Sequence, residues 1–126
     1  MGLTYTDLIL ENTFRNRRMQ IRSLADSGTV FMTIPEHIAL ELGFDTEEFS
    51  TREVTLADGS KKRAPMIGPL RVRFGDRHCD LSALVLGDEP LMGAVPMEMM
   101  DLILYPAAQS VTVNLESPYL PSAHAK

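Results

Sequence analysis

Leu24-Ala25-Asp26-Ser27-Gly28-Thr29 is the stretch on which the reading of this 126-residue chain turns. The segment leading into it, Arg18 to Ala25, alternates Met19 and Ile21 with Gln20 and Arg22, the pattern of a half-buried strand. Near Leu24-Ala25 the alternation gives way to small apolar residues, as in a strand entering a core, and the next residue is a carboxylate. Carboxylates are rarely buried unless paired or hydrogen-bonded. Asp-Ser-Gly is equally ordinary turn chemistry, so the tripeptide alone does not separate a turn from a site.

The flanking sequence predicts an all-β domain, because short alternating segments separated by turn residues dominate it. Tyr5 to Leu10 forms a first strand, with Leu8 and Leu10 on one face, and Arg15-Asn16-Arg17-Arg18 is a basic connection. Val54 to Ala57 runs into Asp58-Gly59, a strong hairpin-turn signal, and the chain returns through Ser60 to Ala64. Leu70, Val72 and Phe74 alternate with Arg71 and Arg73, Gly75-Asp76 turns, and Cys79 to Leu86 follows. Ser110 to Leu115 gives the cleanest alternation and the last strand.

Two short helices interrupt the strands. Thr33 is placed to cap the first and Pro35 suits an early helical position. Ile38, Ala39 and Leu42 form its stripe, and Gly43 sits where a left-handed cap would. The second fits Pro96 to Leu102. The spacing predicts a single domain over residues 1–115 and a flexible tail over 116–126.

Composition narrows the function. A hydrophobic content of 44% and a charged content of 23% are those of a soluble globular chain. A net charge of −5 opposes general nucleic-acid binding, which uses surplus Lys and Arg to neutralise phosphates. No apolar run approaches the ~20 residues that span a bilayer. The acidic N-terminus lacks the order of a signal peptide. One cysteine suits a reducing cytoplasm, which is the expected location.

With Ile34-Pro35-Glu36 and Leu42-Gly43-Phe44 following it, Leu24 to Thr29 resembles the retropepsin-like (clan AA) aspartic proteases, in particular their bacterial single-domain type. Val54 to Ser60 looks like the flap hairpin of that family, and Leu84 to Gly87 followed by Leu91-Met92-Gly93 is similar to its late strand and hydrophobic-hydrophobic-Gly element. The resemblance covers about residues 5 to 115. It implies a closed β-barrel of the acid protease fold, active as a homodimer, cleaving peptide bonds without cofactor or metal. The rival expectation is a dimeric binding or scaffolding module on the same fold.

Aspartic protease chemistry uses two carboxylates that share one proton, the ionised one activating water and the protonated one polarising the carbonyl. This chain has a single Asp-(Ser/Thr)-Gly, so the second Asp26 must come from another copy across a two-fold axis. The resemblance gives Ser27 a bond to the partner loop. Gly28 allows a tight turn beside the carboxylate. A hydroxyl at Thr29 can donate to the outer carboxylate oxygen, which would shift activity toward acid. Asp58, Gly59 and Ser60 are expected to form the flap tip over the substrate. Leu91, Met92 and Gly93, with Ile34, Ile67 and Val85, are candidate pocket walls, although each also suits plain core. Lys61-Lys62-Arg63 past the tip reads either as a preference for acidic substrates or as a solvated face.

A metal centre is not expected. His78, Cys79 and Asp80 are consecutive on a strand, so the first and last face away from Cys79. His37 falls on the exposed side of the first helix and His124 in the tail. Cys79 reads as a small buried apolar residue, and the methionines at 92, 97, 99 and 100 as adaptable packing. The expected partners are a second copy and a peptide or protein substrate, with neither nucleic acid nor membrane.

Overall fold

The β1 strand (Thr4–Asn12) and β2 (Arg17–Ala25) form a hairpin in unbroken register, from Thr4 opposite Ala25 to Asn12 opposite Arg17. The computed structural model describes residues 3–122. Beyond the hairpin come β3 (Met32–Ile34), α1 (Glu36–Glu41), a single 3₁₀ turn at Thr46–Glu48, β4 (Thr51–Thr55) and β5 (Lys61–Phe74). They are followed by β6 (Arg77–Val85), β7 (Leu91–Met92), α2 (Ala94–Met100), β8 (Leu102–Tyr105) and β9 (Ser110–Val113).

Strand order closes the sheet on itself. β1-β2-β7-β3-β6-β5 are neighbours in turn, and β5 returns to pair with β1 from Ile9 opposite Arg73 to Glu11 opposite Arg71. Closure leaves these strands without an open edge. Inward-facing Leu8, Leu10, Ile34, Leu70, Val72 and Met92 fill the ring and are fully buried, the alternation read from the sequence turned into a core. β4 lies outside the ring, paired to the first half of β5 as a projecting arm with mostly exposed side chains, and β8 and β9 pair with each other as a separate two-stranded sheet.

The helices cap this ring. α1 buries Ile38 and Ala39, and Leu42 beyond its end is also buried. Asn12 Nδ2 donates to the Leu42 carbonyl at 2.9 Å, fixing the end of α1 against β1. Gly43 then turns at φ +85°, in the left-handed region anticipated for it.

Several boundaries differ from the sequence reading. Thr33 is not a cap: it belongs to β3, flanked by β6 on one side and β7 on the other, and Pro35 occupies the cap position. Its backbone groups satisfy two ladders, which outweighs a side-chain cap. The return leg from Lys61 to Ala64 and the segment Leu70–Phe74 belong to one long strand, β5, whose register against β6 shifts between Ile67 and Leu70 around Gly68-Pro69. The second helix starts at Ala94 and ends at Met100, because Leu102 opens β8, a strand not anticipated. β9 ends at Val113, so Leu115 lies beyond it and is exposed. No helix among the described residues is long and apolar enough to cross a membrane.

A polar hub fastens the C-terminal segment. Asp101 ends α2 in a left-handed conformation at φ 56°. Its carboxylate accepts from Asn114 Nδ2 at 3.1 Å, from the Ser122 amide at 3.0 Å and from the Ser117 hydroxyl. Arg77, buried, donates to the Met100 and Asp101 carbonyls at 3.0 and 2.9 Å and to the Ser117 carbonyl. Residues 114–122 thus lack regular structure yet bond to the body through Asp101 and Arg77, while His124 lies outside the described residues.

Two predictions follow from this hub. Arg77→Met leaves buried carbonyls without donors and should lower the unfolding free energy by about 1–3 kcal/mol, read as a lower urea midpoint at unchanged slope. Asp101 is held down at about 2, first by the Ser117 hydroxyl, then by the Ser122 amide and Asn114. A depressed folded pKa adds stability above the unfolded value of ~3.9 and loses it as pH falls through the folded one. The Ser117 and Ser122 amide resonances should therefore stay fixed above pH ~4 and titrate between there and about 2. Asp101→Asn should abolish that titration.

Candidate active site

Asp26 begins the loop that links β2 to β3, and the chain around β7 grips that loop by its backbone. Leu24 and Asp26 donate their amides to the Pro90 and Met92 carbonyls, each at 3.0 Å. On the return leg the amides of Gly93, Ala94 and Val95 donate to the carbonyls of Phe31, Thr29 and Val30 at 3.1, 2.7 and 2.9 Å. The first amides of a helix have no partner within it, and here α2 gives its own to the loop. The approach excludes a side chain at Gly93: a Cβ there would lie 2.5 Å from the Phe31 carbonyl oxygen and 2.8 Å from that of Thr29.

Within the loop, the Gly28 amide donates to Asp26 Oδ1 at 2.8 Å, and a Cβ on Gly28 would sit 3.1 Å from that oxygen. Thr29 Oγ1 donates to the Asp26 main-chain carbonyl at 3.0 Å. This corrects the expectation for Thr29. A hydroxyl has one proton to give, and here it is directed to the backbone rather than to the outer carboxylate oxygen, so the proposed acid shift loses its cause. Asp26, Ser27 and Gly28 are exposed at the surface of the single chain.

A cleft of about 690 Å³ opens beside the loop. Gly28, Thr29, Val30 and Phe31 border it, Leu84, Leu86 and Leu91 add apolar wall, and residues 52–57 of the projecting arm cover it. Asp26 itself borders a second hollow of about 240 Å³, together with Ser27, Leu3, Thr4, Leu104 and Pro106, and Leu24 is shared by both. Asp26 and Ser27 therefore stand between the cleft and a face bordered by the chain's first and late strands.

The other candidates separate into those that reach the cleft and those that do not. Asp58, Gly59 and Ser60 form the hairpin tip, with Gly59 at φ +86°. Asp58 Oδ1 accepts from the Ser60 amide at 2.9 Å and its hydroxyl at 2.5 Å, and the hydroxyl is the main reason the Asp58 carboxyl is held below its usual range. Within one chain these three lie beyond the cleft lining, which the arm before them supplies. Leu91 lines the cleft, whereas Met92 points into the core and Gly93 packs on the loop. Ile34, Ile67 and Val85 are buried core residues and line neither hollow.

Sequence reasoning did not find Arg52 or Phe31. The Arg52 guanidinium carbon lies 5.3 Å from the centre of the Phe31 ring, spanning the cleft from arm to floor. Asp88 and Glu89, in the connection from β6 to β7, line the same space. Cys79 is buried between exposed His78 and Asp80, and burial pushes its thiol up to about 12, which holds it protonated. Asp80 is paired with Arg71 through bonds of 2.8 and 3.1 Å. Among the described residues no three His, Cys, Asp or Glu side chains converge as a metal site.

No family model and no curated protein matches the chain by sequence. Its fold does match solved structures. The retroviral protease-like domain of Ddi1 from Leishmania major superposes with a TM-score of 0.64 at 10% identity, covering 91% of this chain and 90% of that one. A retropepsin-like aspartic protease from Rickettsia conorii superposes with a TM-score of 0.57 at 19% identity, covering 84% and 91%. The closed barrel and its projecting hairpin are a retropepsin-like fold.

The grip on the loop can be tested at Gly93. Gly93→Ala should cost about 1–3 kcal/mol in urea unfolding, because the new methyl meets backbone on both sides. Gly59→Ala, with open space around it, should cost only the strain of its backbone conformation.

Proposed function

We propose that this protein is a homodimeric aspartic endopeptidase in which Asp26 of each copy supplies half of the catalytic pair. The observation that carries the reading is the placement of Asp26: an exposed carboxylate on a loop fixed by main-chain bonds on both legs, next to a roofed cleft. A rigid loop holds a carboxylate without reorganisation, which is what positions a general base for catalysis. One chain offers one such carboxylate, and a two-fold axis near Asp26 would bring its twin to it. Two close carboxylates cannot both ionise, so the pair would share a proton. The ionised member takes a proton from water as it attacks the peptide carbonyl, and the other donates to the carbonyl oxygen.

The cleft supports a peptide as substrate. Its apolar lining suits hydrophobic side chains, and β4, paired on one side only, offers a free backbone edge to an extended chain. The partners proposed are a second copy and a peptide or protein substrate, without nucleic acid, membrane, metal or cofactor. The one cysteine, buried and protonated, suits the reducing cytoplasm as the place of action.

Cleavage of a mixed peptide library across pH 3 to 8 tests the reading. Asp26→Asn should lower cleavage by about 10²–10⁴-fold while sedimentation still shows dimers. Equal silence of both proteins as folded dimers would favour the binding module instead.

A further inference from the structure

Arg52 is the charged side chain of the arm that reaches across the cleft. Its guanidinium lies over the face of Phe31, and among the described residues no carboxylate comes within salt-bridge distance of it. Of the acids that line the cleft with it, Glu53 pairs with Lys61 at 3.6 Å, while Asp88 and Glu89, in the connection between β6 and β7, stay outside salt-bridge distance of the guanidinium. The hairpin as a whole is cationic, carrying Arg52, Lys61, Lys62 and Arg63 against Glu53 and Asp58.

Phe31, half-buried beside exposed Val30, offers an apolar surface to a substrate side chain. The guanidinium covers that surface. An uncharged peptide that seats an apolar side chain there gains apolar burial but displaces the cation–π contact and leaves the guanidinium without a partner. A peptide that also carries a carboxylate gives the freed guanidinium a planar, two-pronged partner. Lys61, Lys62 and Arg63 add positive charge on the same hairpin, against Glu53, Asp88 and Glu89 in the lining.

We propose that Arg52 is a specificity-determining residue that selects substrates with an acidic side chain close to the apolar residue seated on Phe31. The assignment rests on the peptidase reading and adds the substrate class to it. Neither the tip residues nor Asp26 takes part in the discrimination.

The test uses fluorescein-labelled octapeptides with a central Phe-Leu. Glu is scanned through the two positions on either side, each against its Gln twin and a Lys counterpart, and binding to the Asp26→Asn protein is measured by anisotropy. At one or more positions the Glu peptide should bind about two- to five-fold more tightly than its twin, the range of an exposed ion pair. Arg52→Ala should bring that ratio to one without weakening the Gln peptide, because the Phe31 face is then free. Arg52→Glu should move the preference to the Lys twin. Equal binding of Glu and Gln peptides, or a Glu preference that survives Arg52→Ala, overturns the assignment and leaves the peptidase reading standing. A Lys preference in the Arg52 protein also overturns it and transfers selectivity to Asp88 and Glu89. If no peptide binds the folded protein, the peptidase reading fails and the assignment with it.

Discussion

The backbone grip between Leu24–Phe31 and Pro90–Val95 is the constraint on which the rest of the site depends. Loop amides and carbonyls that leave a sheet must find partners. Here those of the Asp26 loop find them on a strand of two residues and the first turn of a short helix. β7 can do this only because it is wedged between β2, to which it runs parallel, and β3, to which it runs antiparallel. Gly93 is the one position of that wedge where the two chains come too close for a side chain. Packing of Met92, Met97 and Met100 in the core holds the wedge from behind, so the carboxylate inherits the rigidity of the barrel.

The same architecture divides rigid from movable parts. Closure through β1 and β5 fixes the floor of the cleft, whereas the roof hangs on β4 and the first half of β5, outside the ring. The roof is attached on one side only, and the Arg52–Phe31 contact joins it to the floor. Asp26 stands beside the cleft, on the second hollow, and is exposed in one chain. A lone carboxylate there is a solvated charge; a second one opposite would make it half of a proton-sharing pair.

Much of this was legible in the sequence. Alternation gave the strands, Asp58-Gly59 the hairpin and Gly43 the helix end, because each is a local signal. What stayed hidden depends on tertiary pairing. Leu102 reads as the end of the second helix, and only the register of Leu102–Tyr105 with Ser110–Val113 makes it the start of a strand. Thr33 carries the right chemistry for a cap but is claimed by two neighbouring strands. Arg77 looks like a surface residue until the carbonyls of Met100, Asp101 and Ser117 are seen to surround it. At the site, Asp26, Ser27 and Gly28 were singled out by the tripeptide, and Thr29 and Leu91 by their neighbours. Arg52 and Phe31 lie far apart in sequence, and no motif joins them. The pocket-wall reading of Ile34 and Ile67 failed because an apolar residue in a strand faces core or cleft according to the pleat of the whole barrel.

The central claim, that two copies complete one site, is tested most directly by mixing subunits. Wild-type protein and Asp26→Asn protein are combined at fixed total concentration, left to exchange, and assayed for peptide cleavage as the proportion is varied. A shared site predicts that activity falls as the square of the wild-type fraction, because mixed dimers hold only one native Asp26. Activity falling in simple proportion to the wild-type fraction would mean that each chain works alone, and would contradict the account.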